Sequence, residues 1–309
     1  MSRIQFTVVV PAFNAARTIP SSIRSVLGQT RQDFELIVVD DGSTDETAHR
    51  ANAFDSDPRI RVVRQANRGP SAARNAGLAA ARGSYVSTLD ADDLWLPEYL
   101  EVMGAALDRS PDAVLAYTDA WVLDDLTGTI RRRSAMSYQR PPKVVADPRT
   151  FFLQLLERNF IYTSATVRRS TLQRVGGYDE SLRTSEDWEL WLRIAALGAP
   201  VVRAPGTFAI YRDHPESLTS DPRRIARSKC EIYRRFTEDP DADADVRALA
   251  GRQLEQWKRT LRHLEDPNLL VRLRTRGGAV KRRAMSRWIW RSRPPEAVER
   301  TLRAVEDAL

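Results

Sequence analysis

Phe6-Thr7-Val8-Val9-Val10 and Leu36-Ile37-Val38-Val39 are short, unbroken and mostly β-branched runs. A strand that faces water on one side alternates apolar and polar residues, whereas a strand covered on both sides has no such need. These two runs therefore predict the centre of a parallel sheet lying between two layers of helix. Ile60-Arg61-Val62-Val63 and Tyr85-Val86-Ser87-Thr88-Leu89 supply a third and a fourth strand. Helical stretches separate them, at roughly 19–27, 46–53 and 71–81, the last rich in alanine. Strand and helix alternating through short links predict an α/β fold with a doubly wound, mostly parallel sheet.

Beyond Pro97 the pattern changes. A helix is expected over 98–107 and a strand over 113–121, followed by an Asp124-Asp125-Leu126-Thr127-Gly128 turn. A helix near 149–156 and a strand around 163–167 come next, then a helix over 186–197 and two late strands, 201–203 and 207–211. From Asp221 the sequence reads as helix: 224–236, 242–264, 279–290 and 297–308, punctuated by Asp239-Pro240, Pro267-Asn268 and Pro294-Pro295. This predicts two halves of one domain, 1–110 and 111–220, with a helical C-terminal extension over 221–309.

The charge follows the same division. The 309 residues carry a net charge of +7, but residues 221–309 hold 22 Lys and Arg against 14 Asp and Glu, so the body is close to neutral. A neutral body argues against nucleic-acid binding. Within the extension, residues 267–293 contain nine Lys and Arg, no acid, and Met285 near Trp288-Ile289-Trp290. Cationic helices with interfacial tryptophans bind anionic membrane surfaces, and they also pack on protein bodies with their arginines in water. The single cysteine, Cys230, makes no internal disulfide, and the apolar run before Pro11 is too short for a signal peptide or a span. The expectation is a cytoplasmic protein, with peripheral contact at the inner face of an anionic membrane through 267–293.

The chemistry-bearing residues gather at predicted strand ends. Asp90-Ala91-Asp92-Asp93 follows the fourth strand directly, and residues two apart in an extended segment point the same way. Asp90 and Asp92 are thus placed where open α/β sheets bind ligands, with hard oxygens suited to Mg2+ or Mn2+; a solvated acidic turn is the alternative. Asp40-Asp41-Gly42-Ser43-Thr44-Asp45 ends the second strand, and Pro11-Ala12-Phe13-Asn14 ends the first. An aspartate there can accept from a nucleobase or ribose and Phe13 can cover a base, although a glycine turn with a Ser or Thr cap explains the same letters. Asn67-Arg68-Gly69 reads as a turn, and Arg74 sits on the alanine-rich helix where it can reach a phosphate.

These stretches, with Ala73-Arg74-Asn75-Ala76-Gly77, Gly176-Gly177-Tyr178-Asp179-Glu180 and Glu186-Asp187-Trp188, resemble a family 2 glycosyltransferase of the GT-A fold in both order and spacing. The resemblance covers about residues 4–219, and six motifs in order are specific where one is weak. It implies an inverting transfer of a sugar from a nucleoside diphosphate sugar, a UDP-sugar favoured, to a saccharide or lipid-linked acceptor. Such transfers build cell-surface polysaccharide or glycolipid.

Residue by residue, it places Pro11, Ala12, Phe13, Asn14, Asp40 and Asp41 at the nucleotide, with Asn67, Arg68, Gly69, Arg74, Asp90 and Ala91. Asp90 and Asp92 match the divalent-metal motif, Asp92 as the direct ligand, and the late His214 is a further candidate ligand. Asp187 matches the catalytic base with Glu186 as the alternative, and Trp188 lies on the acceptor side as core or pocket wall. Physical chemistry is compatible with these roles: a diphosphate leaves when its charge is neutralised, and a hydroxyl attacks when a carboxylate takes its proton. Glu186 and Asp187 also suit a helix's first turn, where the dipole lowers an acid's pKa and burial raises it.

Two rivals remain. A nucleotidyltransferase would carry a Gly-rich, basic loop after the first strand, which Pro11-Ala12-Phe13-Asn14-Ala15-Ala16 is not. A catalytically silent sugar-nucleotide-binding scaffold would have no use for intact Asp90, Asp92 and Asp187.

Overall fold

The computed structural model describes residues 4–131, 135, 147–161 and 165–266. The first half runs β1 (Phe6–Ala12), α1 (Ile19–Leu27), β2 (Phe34–Asp40), α2 (Thr47–Asn52), β3 (Ile60–Arg64), α3 (Pro70–Ala79) and β4 (Tyr85–Thr88). The second runs β5 (Leu94–Trp95), α4 (Tyr99–Arg109), β6 (Leu115–Asp124), β7 (Thr129–Ile130), α5 (Pro148–Glu157), β8 (Ala165–Arg168), α6 (Arg169–Val175), α7 (Glu186–Ala195) and β9 (Val201–Asp213). A short 3-10 turn, Leu218–Ser220, leads to α8 (Pro222–Glu238) and α9 (Ala244–Glu265).

The nine strands among the described residues form one sheet, in the order β3-β2-β1-β4-β8-β6-β9-β5, with β7 paired to β6. The first four strands are parallel throughout, β1 lying between β2 and β4. The second half mixes senses: β8 is antiparallel to β4 and β6, β5 is antiparallel to β9, and β6 and β9 are parallel.

Every residue of β2 is buried, and its side chains divide between two cores. Leu36 and Val38 join Val8 and Val10 under α1 and α4, while Ile37 and Val39 join Val9 on the face covered by α3 and α7. A strand buried on both sides is what the β-branched runs predicted. The α3 helix approaches β1 at Gly77, where a Cβ would fall 2.3 Å from Val9 Cγ1.

Three elements differ from expectation. The two late strands are one, β9, because Pro205-Gly206 is absorbed as an irregularity opposite Tyr117–Asp119 of β6. Strand β5 and helix α6 are too short to leave a periodic signal. The described part of the extension packs against the body: Ile232 and Tyr233 of α8 and Val246, Ala250 and Leu254 of α9 belong to the same core as Trp188 and Trp191. Tyr233 Oη donates to the Leu156 carbonyl at 2.9 Å, and its ring meets Trp188 edge-on.

The basic stretch 267–293 and the helices expected over 279–290 and 297–308 lie outside the described residues. Among the described residues, no helix is long and apolar enough to cross a membrane.

Candidate active site

The loops after β1 and β2 are tied to each other. Asn14 adopts a left-handed conformation (φ 49°), its N–H donates to Ser43 Oγ at 3.0 Å, and its Oδ1 accepts from the Thr44 N–H at 2.9 Å. Ala15 N donates to Thr47 Oγ1 and Ala16 N to Asp45 Oδ2. Asp40 is buried, accepting from Ser43 N with Arg64 Nε 3.1 Å from its other oxygen. Asp41 accepts three hydrogen bonds, from Gln65 Nε2 at 2.8 Å, Arg68 N at 3.0 Å and Gly69 N at 2.7 Å. That carboxylate holds the Asn67-Arg68-Gly69 turn and the start of α3 against the end of β2. Gly42 permits the turn: its φ is +76°, and a Cβ there would sit 2.8 Å from Asn67 N. The side chain of Phe13, in contrast, is 49 % exposed, a large apolar ring in water beside this polar network.

The acidic motif lies one strand away. Carboxylate oxygens of Asp90, Asp92 and Asp93 come within 4.8 Å of one another. Burial, then the Asp92 and Asp90 charges, holds the Asp93 carboxyl well above the usual range, although Arg212 N donates to it at 2.9 Å. Burial also raises Asp90, with Arg74 opposing and Asp92 reinforcing. His214 Nε2 stands 2.8 Å from Asp92 Oδ2, and that contact raises the imidazole against the effect of its burial. Its Nδ1 is buried with no hydrogen-bond partner. Crowded hard oxygens with a poorly satisfied imidazole beside them fit a divalent cation such as Mg2+ or Mn2+.

Arg74 joins the two halves. Its Nη2 donates to Asp90 Oδ1 at 2.5 Å and its Nη1 to Glu186 Oε1 at 2.6 Å, while its guanidinium lies 5.4 Å from the Tyr178 ring centre. The side chain is buried, and its pKa is raised despite that burial by Asp90 and Glu186. Both terminal nitrogens thus donate to carboxylates.

Helix α7 begins without a side-chain cap among the described residues. Ser185 is left-handed (φ 60°) and makes no side-chain cap bond, while Thr184 Oγ1 turns to Ser228 of α8 at 2.9 Å. Asp187 accepts from the N–H of Trp188 at 2.7 Å. Burial first, then the neighbouring Glu186, pushes its carboxyl up to about 7, against the pull of that bond and of Arg74. The competition between dipole and burial is therefore decided for burial.

The other expected residues fall around this frame. Pro11 and Ala12 lie at the end of β1, and Ala91 is buried with its carbonyl accepting from Ser22 Oγ. Asn67 is exposed on the turn, and Arg68 pairs with Glu180 at 2.7 Å on the surface. Trp188, expected against the acceptor, is 1 % exposed; its indole N–H donates to the Leu155 carbonyl, so it lies beneath the site as part of the core. Sequence reasoning missed Asn75, which grips the backbone of Tyr178 through both N–H and C=O and so fixes the Gly176-Gly177-Tyr178 loop to α3. It also missed Arg212, which donates to the Asp92 carbonyl and to Asp125. Asn75 lay in a quoted motif, and Arg212 stands two residues before the candidate ligand His214.

Residues 7–176 match the family model for glycosyl transferase family 2. The chain belongs to that family. It is 34% identical over 217 residues to the succinoglycan biosynthesis protein ExoO of Rhizobium meliloti (strain 1021), covering 69% of this chain and 62% of ExoO. With ExoU of the same organism it shares 30% identity over 280 residues, 84% of this chain and 78% of ExoU. The chain thus spans less than two thirds of ExoO, and 30% of an uncharacterized glycosyltransferase of Rickettsia felis. Among solved structures, S. aureus TarS 1-349 in complex with UDP-GlcNAc superposes with a TM-score of 0.63 at 21% identity, covering 82% of this chain and 71% of that one. The mannosyltransferase PcManGT from Pyrobaculum calidifontis, in complex with GDP-Man and Mn2+, gives 0.62 at 19%, covering 100% of this chain and 86% of that one. These likenesses show that the family 2 chain has the GT-A fold.

Proposed function

We propose that this chain transfers a sugar, with inversion, from a nucleoside diphosphate sugar to an acceptor hydroxyl, in the assembly of a cell-surface polysaccharide or glycolipid. A UDP-sugar is the favoured donor. The observation that carries the reading is Arg74, whose two 2.5–2.6 Å contacts hold the Asp90 end of β4 and the first turn of α7 together. Through it, the carboxylates suited to a metal and diphosphate stand beside those suited to proton transfer.

Phe13 offers a face to the base, and the loops after β1 and β2 offer it a rigid wall. Asp90 and Asp92, with His214 beside them, are the residues that would hold Mg2+ or Mn2+, whose charge would stabilise the departing diphosphate. Glu186 is engaged by Arg74, which leaves Asp187 as the base that takes the acceptor proton. A carboxylate near 7 is well matched to that task, since the best general base titrates close to the working pH. One base acting on one face is the requirement of a single inverting displacement.

The test is thermal unfolding with UDP, GDP, dTDP and CMP and their sugar conjugates, each with and without Mn2+. A ligand at 100 times its dissociation constant adds about 2.7 kcal/mol of stability, which is readily seen as a shift in Tm. A metal-dependent shift with one nucleotide, lost in Asp92→Ala, is the expected result. No shift with any of them, in folded protein, would favour the silent scaffold.

A further inference from the structure

The Asp90–Asp93 turn is held by its backbone carbonyls. Ser22 Oγ, on α1 in the first half, lies 2.9 Å from the Ala91 carbonyl and 2.8 Å from that of Asp93. Asp92, between them, is held from the second half instead. Arg212 Nε donates to its carbonyl at 2.7 Å, and His214 Nε2 stands 2.8 Å from its carboxylate. Arg212 lies near the end of β9 and His214 just past it, and residues two apart in extended chain point the same way. The backbone N–H of Arg212 also donates to Asp93 Oδ1 at 2.9 Å. One short piece of chain therefore grips Asp92 at its carbonyl and its carboxylate, and the Asp93 carboxylate as well.

Asp125, in the turn between β6 and β7, completes the arrangement. It accepts from Arg212 Nη1 at 2.8 Å, and the two side chains are only 13% and 14% exposed. It also takes two bonds from Arg17, in the loop after β1, at 2.7 and 3.2 Å. The planar guanidinium of Arg212 thus donates to a carbonyl and a carboxylate at once, which fixes both its place and its plane. Its charge matters too. An unpaired arginine beside a cation site would repel the ion, and Asp125 cancels that charge while the bond to Asp92 stays in place.

We propose that Arg212, braced by Asp125, is a positioning residue for the transfer reaction, one that fixes Asp92 for the divalent cation it would share with Asp90. The inference rests on the reading of Asp90 and Asp92 as the residues that hold Mg2+ or Mn2+. It gives the turn between β6 and β7, distant from the acidic motif in sequence, a part in the affinity for metal. A carboxylate binds a metal well when the groups behind it are fixed, and losing such a group typically costs about 10–100-fold in affinity.

The experiment is Mn2+ titration of the full chain, alone and with UDP or GDP, free Mn2+ being read by electron paramagnetic resonance. Arg212→Met is expected to raise the Mn2+ dissociation constant about tenfold or more. Arg212→Lys keeps the charge but cannot donate to both oxygens in the guanidinium's geometry, so it is expected to bind as weakly as Arg212→Met. Asp125→Asn leaves Arg212 in place with its charge uncancelled and is expected to move the constant the same way, by several-fold. A merely structural role would lower Tm and leave the constant of the folded protein unchanged, and that result in Arg212→Met overturns the proposal. Affinity equal to the parent's in Arg212→Lys overturns it too, because charge alone would then suffice. Should Arg212→Met not fold, Asp125→Asn decides, and an unchanged constant there overturns the proposal equally. A parent chain that binds no Mn2+ under any of these conditions removes the metal reading itself, and the proposal with it; binding by the parent that the variants match removes the proposal alone.

Discussion

Asp41, just beyond β2, and Asp187, in the first turn of α7, are both carboxylates at element ends near the same site, and their surroundings treat them in opposite ways. Asp41 accepts from one side-chain amide and two backbone N–H groups, all brought to it by the loop that follows β3. Asp187 accepts one N–H, sits beside Glu186 and is pushed up to about 7. The first arrangement builds a rigid wall; the second stores an unfavourable charge. Polar residues are therefore abundant on the nucleotide side because its loops consume them, whereas chemical reactivity concentrates where donors run out.

That comparison breaks first at Asp187. Asp187→Asn is expected to lower transfer by roughly 10²–10⁴-fold with nucleotide affinity kept, measured by donor turnover and by titration of the nucleotide. The same variant has a stability signature of determined sign. The Asp187 carboxyl titrates at about 7 in the folded chain and at an ordinary 3.8 unfolded, so between those values the native state binds the extra proton. Its contribution is fully present at acid pH and is lost as the pH rises through about 7. Asp187→Asn removes that loss, so denaturant unfolding should show its advantage over the parent growing from pH 4 to pH 7 and level above it. The gain is on the order of 2–4 kcal/mol, and a constant difference across that range would contradict the buried-charge account.

Arg74→Met tests the junction between the two sides. It strands Asp90 and Glu186, and leaving buried charge uncompensated costs about 3–5 kcal/mol. The loss is read from denaturant midpoints, and one under about 1 kcal/mol would deny the clamp its electrostatic origin. Asp41→Ala sharpens the wall: two N–H groups lose their acceptor, and the expected cost is about 2–3 kcal/mol in denaturant midpoint measurements. Arg68→Ala, at a surface pair with Glu180, should stay within about 1 kcal/mol. A larger drop in nucleotide affinity than in stability there would give the turn a direct role in donor binding.

Strand β2 was legible because a run such as Leu36-Ile37-Val38-Val39 has few other places to be buried, and α3 because alanines frame Arg74 and Asn75 at helical spacing. The order of the motifs likewise announced the fold and the family, since Asn14, Asp40-Asp41 and Asp90-Asp92 stand at the ends of β1, β2 and β4, and the ends of parallel strands share one edge. A strand as short as β5 was not legible, because two residues carry no period and it forms only where β9 offers a partner.

The local chemistry of each stretch was thus the sequence's own: buried runs, turn glycines, acids grouped at strand ends. What only the tertiary structure decided is how those acids are shared out. Arg74 reads in the chain as a free cation and becomes a clamp because Asp90 and Glu186, far apart in sequence, converge on it. Trp188 becomes part of the core, and Lys229 comes to lie over its ring because α8 and α9 pack under α7. Charge–charge energies depend on distance and on the water excluded between groups, and neither quantity exists until the chain has folded.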